Sequence, residues 1–265
     1  MESRLTRAIV NCYIVVFLLY LFTPLIVMMA ASFNDSRFPT VMPWKANTWR
    51  WYEDLWNDDR MWGALLNSIL VGLAVVIISV PVGTLAGLLL DSLRGRVRSA
   101  LYAVMVAPLL VPGVIIGIST LIFWNELGVG SGLHLSTIGQ CSFISSYVML
   151  MVVARLQRLD KSLEEAALDL GATHMQALRL IVLPYLRPSL ITAAVLAFFQ
   201  SFENYNTTLF TRGGASTVTV FIASRIRTGV TPEVNALGVV MICLTVAAAV
   251  AGTVIQRRRK AAAEA

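Results

Sequence analysis

The sequence predicts an all-α membrane protein of about six transmembrane helices, from its composition, the length of its apolar runs and the placement of Lys and Arg. Of 265 residues, 57% are hydrophobic and 14% charged, whereas a globular chain carries about 25% charged residues. The mean hydropathy is +0.73. A helix rises about 1.5 Å per residue, so crossing the hydrocarbon takes about 20 apolar residues, and helical winding pairs the backbone N–H and C=O groups that lipid cannot satisfy.

Runs of that length lie near 8–31, 63–90, 100–124, 138–155, 188–208 and 236–256. The first follows Arg4 and Arg7 and ends in Met29-Ala30-Ala31-Ser32, as a signal peptide would. Its apolar run exceeds the roughly 7–15 residues of a signal core and contains Pro24, so it reads as a retained span. The second run leaves room for tilt or a flanking helix. In the third, Pro108, Pro112 and Gly113 interrupt the hydrogen-bond ladder, as a hinge or as a packing kink. Gly72, Gly83 and Gly87 in the second suggest close helix approach.

Lys and Arg resist translocation and collect on the cytoplasmic side. With a cytoplasmic N-terminus, alternate segments hold Arg4 and Arg7; Arg94, Arg96 and Arg98; Arg155, Arg158, Lys161, Arg179 and Arg187; and Arg257, Arg258, Arg259 and Lys260, fourteen of the 21 basic residues. The opposite segments hold Arg37, Lys45, Arg50, Arg60, Arg212, Arg225 and Arg227. Both termini are therefore expected to be cytoplasmic. This topology accounts for the net charge of +6 and argues against a nucleic-acid partner. Cys12, Cys141 and Cys243 are too scattered for a metal site, and no disulfide is suggested.

The outer segment from Phe33 to Arg60 carries Trp44, Trp49, Trp51, Tyr52 and Trp56, ring types that favour the headgroup level. A short amphipathic helix along the outer surface is expected, anchored by lipid or touching an external binding protein. The inner segment 155–187 carries helix punctuation. Ser162 with Glu165 reads as a capping box opening a helix through Ala166, Ala167 and Leu170, with Gly171 just past its end. Thr173 with Gln176 reads as a second box, opening a segment with Met175, Leu178, Ile181 and Val182 on one side and closed before Leu183-Pro184. The apolar face of these helices needs a cover, either a cytoplasmic partner or the ends of the chain's own spans.

Glu165-Ala166-Ala167, three residues, Gly171, nine residues, Ile181-x-Leu183-Pro184 resembles the EAA signature of ABC-importer permeases. The resemblance implies a type I importer permease fold in one permease domain over 1–265, with 155–187 as the cytoplasmic coupling loop. It implies a multi-pass protein of the bacterial inner membrane, with Glu165, Ala166, Ala167 and Gly171 docking an ATPase. The implied partners are two ATPase subunits, a second permease and a periplasmic or extracellular solute-binding protein, besides membrane lipid. ATP and Mg would be bound by the ATPase and no cofactor by this chain. For Glu165, capping of Ser162 is the role the residues themselves support.

Ser32-Phe33-Asn34-Asp35-Ser36-Arg37-Phe38 and Thr231-Pro232-Glu233-Val234-Asn235-Ala236-Leu237 resemble the spermidine/putrescine branch of those importers. In the second stretch Thr231 can cap a helix whose first residue is Pro232, with Glu233 at the positive end of its dipole, a structural role before a substrate contact. Members of that branch carry a carboxylate just after the Pro of the third span and an acidic pair in the fifth. This chain has Ala107-Pro108-Leu109 and Glu203-Asn204 there, which keeps other amines, amino-acid-like compounds, organic acids and phosphonates open as solutes.

Glu203 is the one acidic residue placed inside the membrane, in Phe202-Glu203-Asn204-Tyr205. An intramembrane carboxylate marks a pathway by default, and neighbouring rings offer a dication cation–π attraction. The competing placement is near the outer interface, where the carboxylate reaches water. Catalysis is not expected: His134 and His174 fall on opposite predicted sides, with no HExxH pattern and no GxxxxGK[ST] loop. A stand-alone secondary carrier is the rival from another class, but it would have no use for a docking loop.

Overall fold

The structure, a computed structural model, describes residues 4–229 and 232–264. Among these residues five helices are long and apolar enough to cross a membrane, and a bent pair makes a sixth crossing if counted as one. Among the described residues the regular structure is helical, apart from one isolated bridge between Asn34 and Asn47. Thr231 lies outside the described residues, so its expected cap is not seen.

The chain forms two compact units, Met1–Met61 with Ile222–Ala265, and Trp62–Phe221. In the first, α1 (Arg4–Ala31) is apolar all round, and most of its side chains are exposed, as a lipid-facing helix requires. α2 (Arg50–Trp56) is the short helix expected in this aromatic segment, burying Trp51 and Leu55. α12 (Pro232–Glu264) packs on α1 and α2, and a Cβ at Gly238 would come within 2.8 Å of the Met28 sulfur. Glu233, in the first turn of α12, has the structural role expected of it, 3.4 Å from Arg225 of α11 (Val218–Thr228). Arg225 also pairs with Asp58, whose other oxygen accepts the Arg60 N–H at 2.9 Å and so caps α3 (Asp59–Ser92).

The second unit is built around α6 (Leu133–Leu156). Ile144, Val148, Val152 and Leu156 of α6 interdigitate with Val71 and Val75 of α3 and with Leu186, Ala193 and Ala197 of α9 (Leu183–Phe202). Helices gain little hydrophobic drive for association within lipid, so the contact depends on close backbone approach over small residues. The glycines supply it. A Cβ at Gly83 would lie 2.5 Å from the Ser145 carbonyl oxygen, and one at Gly87 would lie 2.7 Å from Val152.

The third span, 100–124, carries the interruption expected of it, at Pro112 and Gly113. It breaks into α4 (Gly95–Leu110) and α5 (Gly113–Glu126), bent by 102°. Pro112 lacks an N–H and biases Val111 to extended backbone, observed at φ −88° and ψ 128°, so the α-helix cannot pass through.

The fifth span starts earlier and ends sooner than 188–208. α8 (His174–Ala177) continues through a π-turn, Leu178–Val182, into α9, so the expected closure before Leu183-Pro184 does not occur. The Leu183 N–H reaches back five residues to the Leu178 carbonyl, and this wider turn takes up Pro184, which has no N–H for a regular bond. At the other end α9 stops at Phe202 and the chain re-forms as α10 (Asn206–Thr211).

Candidate functional site

The EAA segment is held by backbone chemistry rather than by core packing. α7 (Ser162–Asp169) carries Glu165, Ala166 and Ala167. The expected Ser162–Glu165 box is absent: Ser162 is the first helical residue, and Asp160 accepts its N–H at 3.0 Å. Hydrogen bonds from the Ser162 hydroxyl and N–H hold the Asp160 carboxyl below its ordinary pKa. The cap therefore begins two residues earlier than the motif suggests, and Glu165 is released from the capping role assigned to it.

Gly171 ends α7 at φ +87°, a left-handed conformation that costs glycine nothing. The Ala172 N–H reaches the Ala167 carbonyl at 3.0 Å and the Gly171 N–H the Leu168 carbonyl at 2.9 Å, the two bonds of a Schellman closure. Beyond it the Thr173–Gln176 capping box is complete, with the Gln176 N–H at 3.3 Å from the Thr173 hydroxyl and the Thr173 N–H at 2.7 Å from the Gln176 side chain. Glu165, Ala166 and Gly171 are exposed and Ala167 is half-buried.

Apolar surface is left open beside them, with Leu170 89% exposed and Leu163 and Met175 more than half exposed. Behind the loop a cavity of about 390 Å³ is lined by Asp91, Arg94, Lys161, Glu164 and His174 among others. Lys161 lies 3.6 Å from Asp91, linking the start of α7 to the last turn of α3. His174 opens α8, and the described residues hold no group of three metal-ligating side chains.

The second candidate region, Phe202 to Tyr205, is the break between α9 and α10. Glu203 follows the last residue of α9 and is exposed in this chain, at a break in the fifth span rather than within one continuous helix over 188–208. The reason lies in its neighbour. The Asn204 side-chain oxygen accepts the Thr208 N–H at 3.2 Å and the Thr208 hydroxyl at 3.1 Å, and its carbonyl accepts the Thr219 hydroxyl at 3.0 Å. Asn204 is thus committed to capping α10 and to tying α11 to the break. Phe202 is half-buried with its ring centroid 5.8 Å from Phe198, and Phe198 lies where a Cβ on Gly72 would come within 2.9 Å. Tyr205 is half-buried at the start of α10.

The polar chemistry of this region lies one turn deeper. Thr207, Thr208 and Thr211 of α10 are fully buried between α5 and α6. Gln140 of α6 donates to the Thr208 hydroxyl at 2.8 Å and accepts from Ser201 of α9 at 2.5 Å; Ser136 and Thr211 share a bond of 2.9 Å. Thr207 donates to the Gly113 carbonyl at 3.2 Å, at the bend between α4 and α5. Gly117 and Gly139 both abut Thr207, and a Cβ at Gly117 would lie 2.9 Å from the Thr207 carbonyl oxygen. Sequence reasoning stopped at Phe202 to Tyr205 and passed over Gln140 and Ser136. Their spacing of four in an otherwise apolar span was the available signal.

The pattern of binding-protein-dependent transport system inner membrane components matches residues 79–260. The chain is 30% identical over 249 residues to the spermidine/putrescine transport system permease protein PotC of Haemophilus influenzae, covering 94% of this chain and 96% of the relative. It is 34% identical over 232 residues to the putrescine transport system permease protein PotI of Escherichia coli K12, covering 84% and 82%. Its fold is similar to that of a chain in the crystal structure of a bacterial ABC transporter that imports the acidic polysaccharide alginate, with a TM-score of 0.73 at 16% identity over 96% and 95% of the two chains. A long match through the EAA loop, the bend and the α9–α10 break shows that this chain belongs to the family of binding-protein-dependent transport system inner membrane components, as a multi-pass permease of the bacterial inner membrane.

Proposed function

We propose that the chain is one of two permease subunits of an ATP-driven importer for polyamines. The observation that carries the substrate class is the 30% and 34% identity, over most of the chain, to permeases named for spermidine and putrescine. α7 with its Schellman turn docks an ATPase: Glu165, Ala166 and Gly171 are exposed beside uncovered Leu163 and Leu170, and a partner groove would cover them. ATP and Mg are held by two ATPase subunits, a solute-binding protein delivers the cargo from outside, and both termini face the cytoplasm.

Closure of the ATPases moves α7, and the direct continuation of α8 through the π-turn into α9 carries that motion to the α9–α10 break. There Glu203, with Phe202 and Tyr205 beside it, meets the cationic cargo, while Asn204 holds the break in shape.

A different small solute is the second reading, favoured by Ala107-Pro108-Leu109 and by Glu203-Asn204 where the polyamine branch has more carboxylates. The deciding experiment is affinity purification of the tagged chain from native membranes in mild detergent, followed by ATPase assays with the binding protein and spermidine or putrescine. An ATPase and a second permease should co-purify, with hydrolysis stimulated by polyamine. Hydrolysis indifferent to polyamine would leave the importer and reject the cargo. A chain that purifies alone and transports unaided would reject both. Within the assembled complex, Glu165→Lys and Gly171→Asp should abolish uptake without loss of insertion, and Glu203→Gln should change polyamine-dependent transport without loss of assembly.

A further inference from the structure

We infer that residues 34–47 form a preorganised docking loop for the solute-binding protein, with Phe38 and Met42 as its apolar contacts and Arg37 and Lys45 as flanking cations; this rests on the importer reading above. The loop is built around Asn34, which is fully buried. Its side-chain amide donates to the carbonyls of Thr40 at 2.8 Å and Pro43 at 3.2 Å, and its side-chain oxygen accepts the Lys45 N–H at 2.9 Å. Its own carbonyl accepts the indole N–H of buried Trp51 at 2.9 Å, and the Asp35 N–H reaches the Ala46 carbonyl at 2.9 Å. One asparagine therefore gathers both arms of the loop and pins them to α2.

What this scaffold presents outward is the reverse of what a free outer loop would show. Met42 is 86% exposed and Phe38 69%, on a segment whose exposed charges are Asp35, Arg37 and Lys45. Large apolar side chains held in water by buried polar bonds incur a cost in the free protein that contact with a partner removes. Insertion into lipid is non-directional and asks for no fixed backbone, whereas a protein surface rewards a loop whose ordering entropy has been lost before contact. The net positive charge calls for an acidic rim around an apolar hollow on the partner.

Side also agrees. The distribution of Lys and Arg assigns 33–60 to the outer side and 155–187 to the cytoplasmic side, and a solute-binding protein works from outside.

The test uses the assembled transporter in nanodiscs with its purified binding protein. Met42→p-benzoylphenylalanine should cross-link to the binding protein on illumination. Phe38→Ser with Met42→Ser should raise the binding-protein concentration giving half-maximal ATPase stimulation about tenfold, and Asn34→Ala, which leaves both contacts in place, should raise it as well. Cross-linking to phospholipid alone, or stimulation at wild-type concentrations in the double variant, would overturn the docking role while leaving the importer intact. Failure of the binding protein to stimulate the wild-type complex at all would instead overturn the importer reading on which the docking role rests.

Discussion

Replacing Gly83 by Ala should destabilise the protein even though alanine is the better helix former, and the structure sets the size of the effect. A Cβ at Gly83 would stand 2.5 Å from the Ser145 carbonyl oxygen and 2.6 Å from the Val148 Cβ. Ordinary contact begins at 3.4 Å, so α3 and α6 would have to part by roughly 0.9 Å at this crossing. Neither neighbour can rotate away, since one is backbone and the other a Cβ. Overpacking of this kind costs about 1–3 kcal/mol and more where backbone must move, against a gain of about 1 kcal/mol in helix propensity. Gly63 lies in the same helix with nothing within 4 Å of its Cβ position, so Gly63→Ala isolates the propensity gain. Thermal unfolding in nanodiscs should show opposite shifts, down by roughly 4–8 °C for Gly83→Ala if the net loss is about 2 kcal/mol, and up by a few degrees for Gly63→Ala. A Gly83→Ala protein as stable as the wild type would refute close α3–α6 packing as the reason for this glycine.

Gln140→Leu should cost about 1–3 kcal/mol, because it strips the Ser201 and Thr208 hydroxyls of a buried partner; an unchanged unfolding midpoint would mean that the network contributes no net stability. Arg225→Ala should cost about 1–3 kcal/mol by leaving the half-buried carboxylates Asp58 and Glu233 without their shared cation, and Arg225→Lys should recover part of it; equal midpoints for the two variants would exclude a charge-based clamp. The depressed Asp160 pKa predicts a pH dependence at α7: the cap is fully present above the ordinary value of 3.8 and is lost as pH falls through the lower folded value. Amide exchange along α7 should therefore accelerate more at pH 3 in the wild type than in Asp160→Asn, whose cap does not titrate; identical profiles would discard Asp160 as the cap.

The loop that carries the EAA motif was legible because its signals are local. Gly171 must take a left-handed φ wherever a helix turns within so few residues, and Thr173 and Gln176 bind each other's backbone across three positions, so both were readable as letters. Ser162–Glu165 failed for a reason of the same kind. Asp160 is a stronger acceptor two residues upstream, and once it holds the Ser162 N–H the serine is inside the helix. A short helix in the aromatic segment 33–60 was readable from its composition, but not that Trp51 would be buried with its N–H on Asn34 while Trp49 and Trp56 stay exposed.

By itself the sequence determined the class, the number of apolar runs and the place of the EAA turn, because length, hydropathy and short-range hydrogen bonding depend on neighbours along the chain. Only the tertiary structure decided where the fifth span ends and what its polar residues do. Asn204, Thr207, Thr208 and Thr211 read alike as polar residues at the end of an apolar run. Their roles come from Gln140, Ser136 and Gly113, residues far away in sequence, which hydrogen-bond the buried threonines of α10. A hydrogen bond across a helix crossing leaves no periodic trace in the chain that makes it, so its partners appear only when the helices are packed.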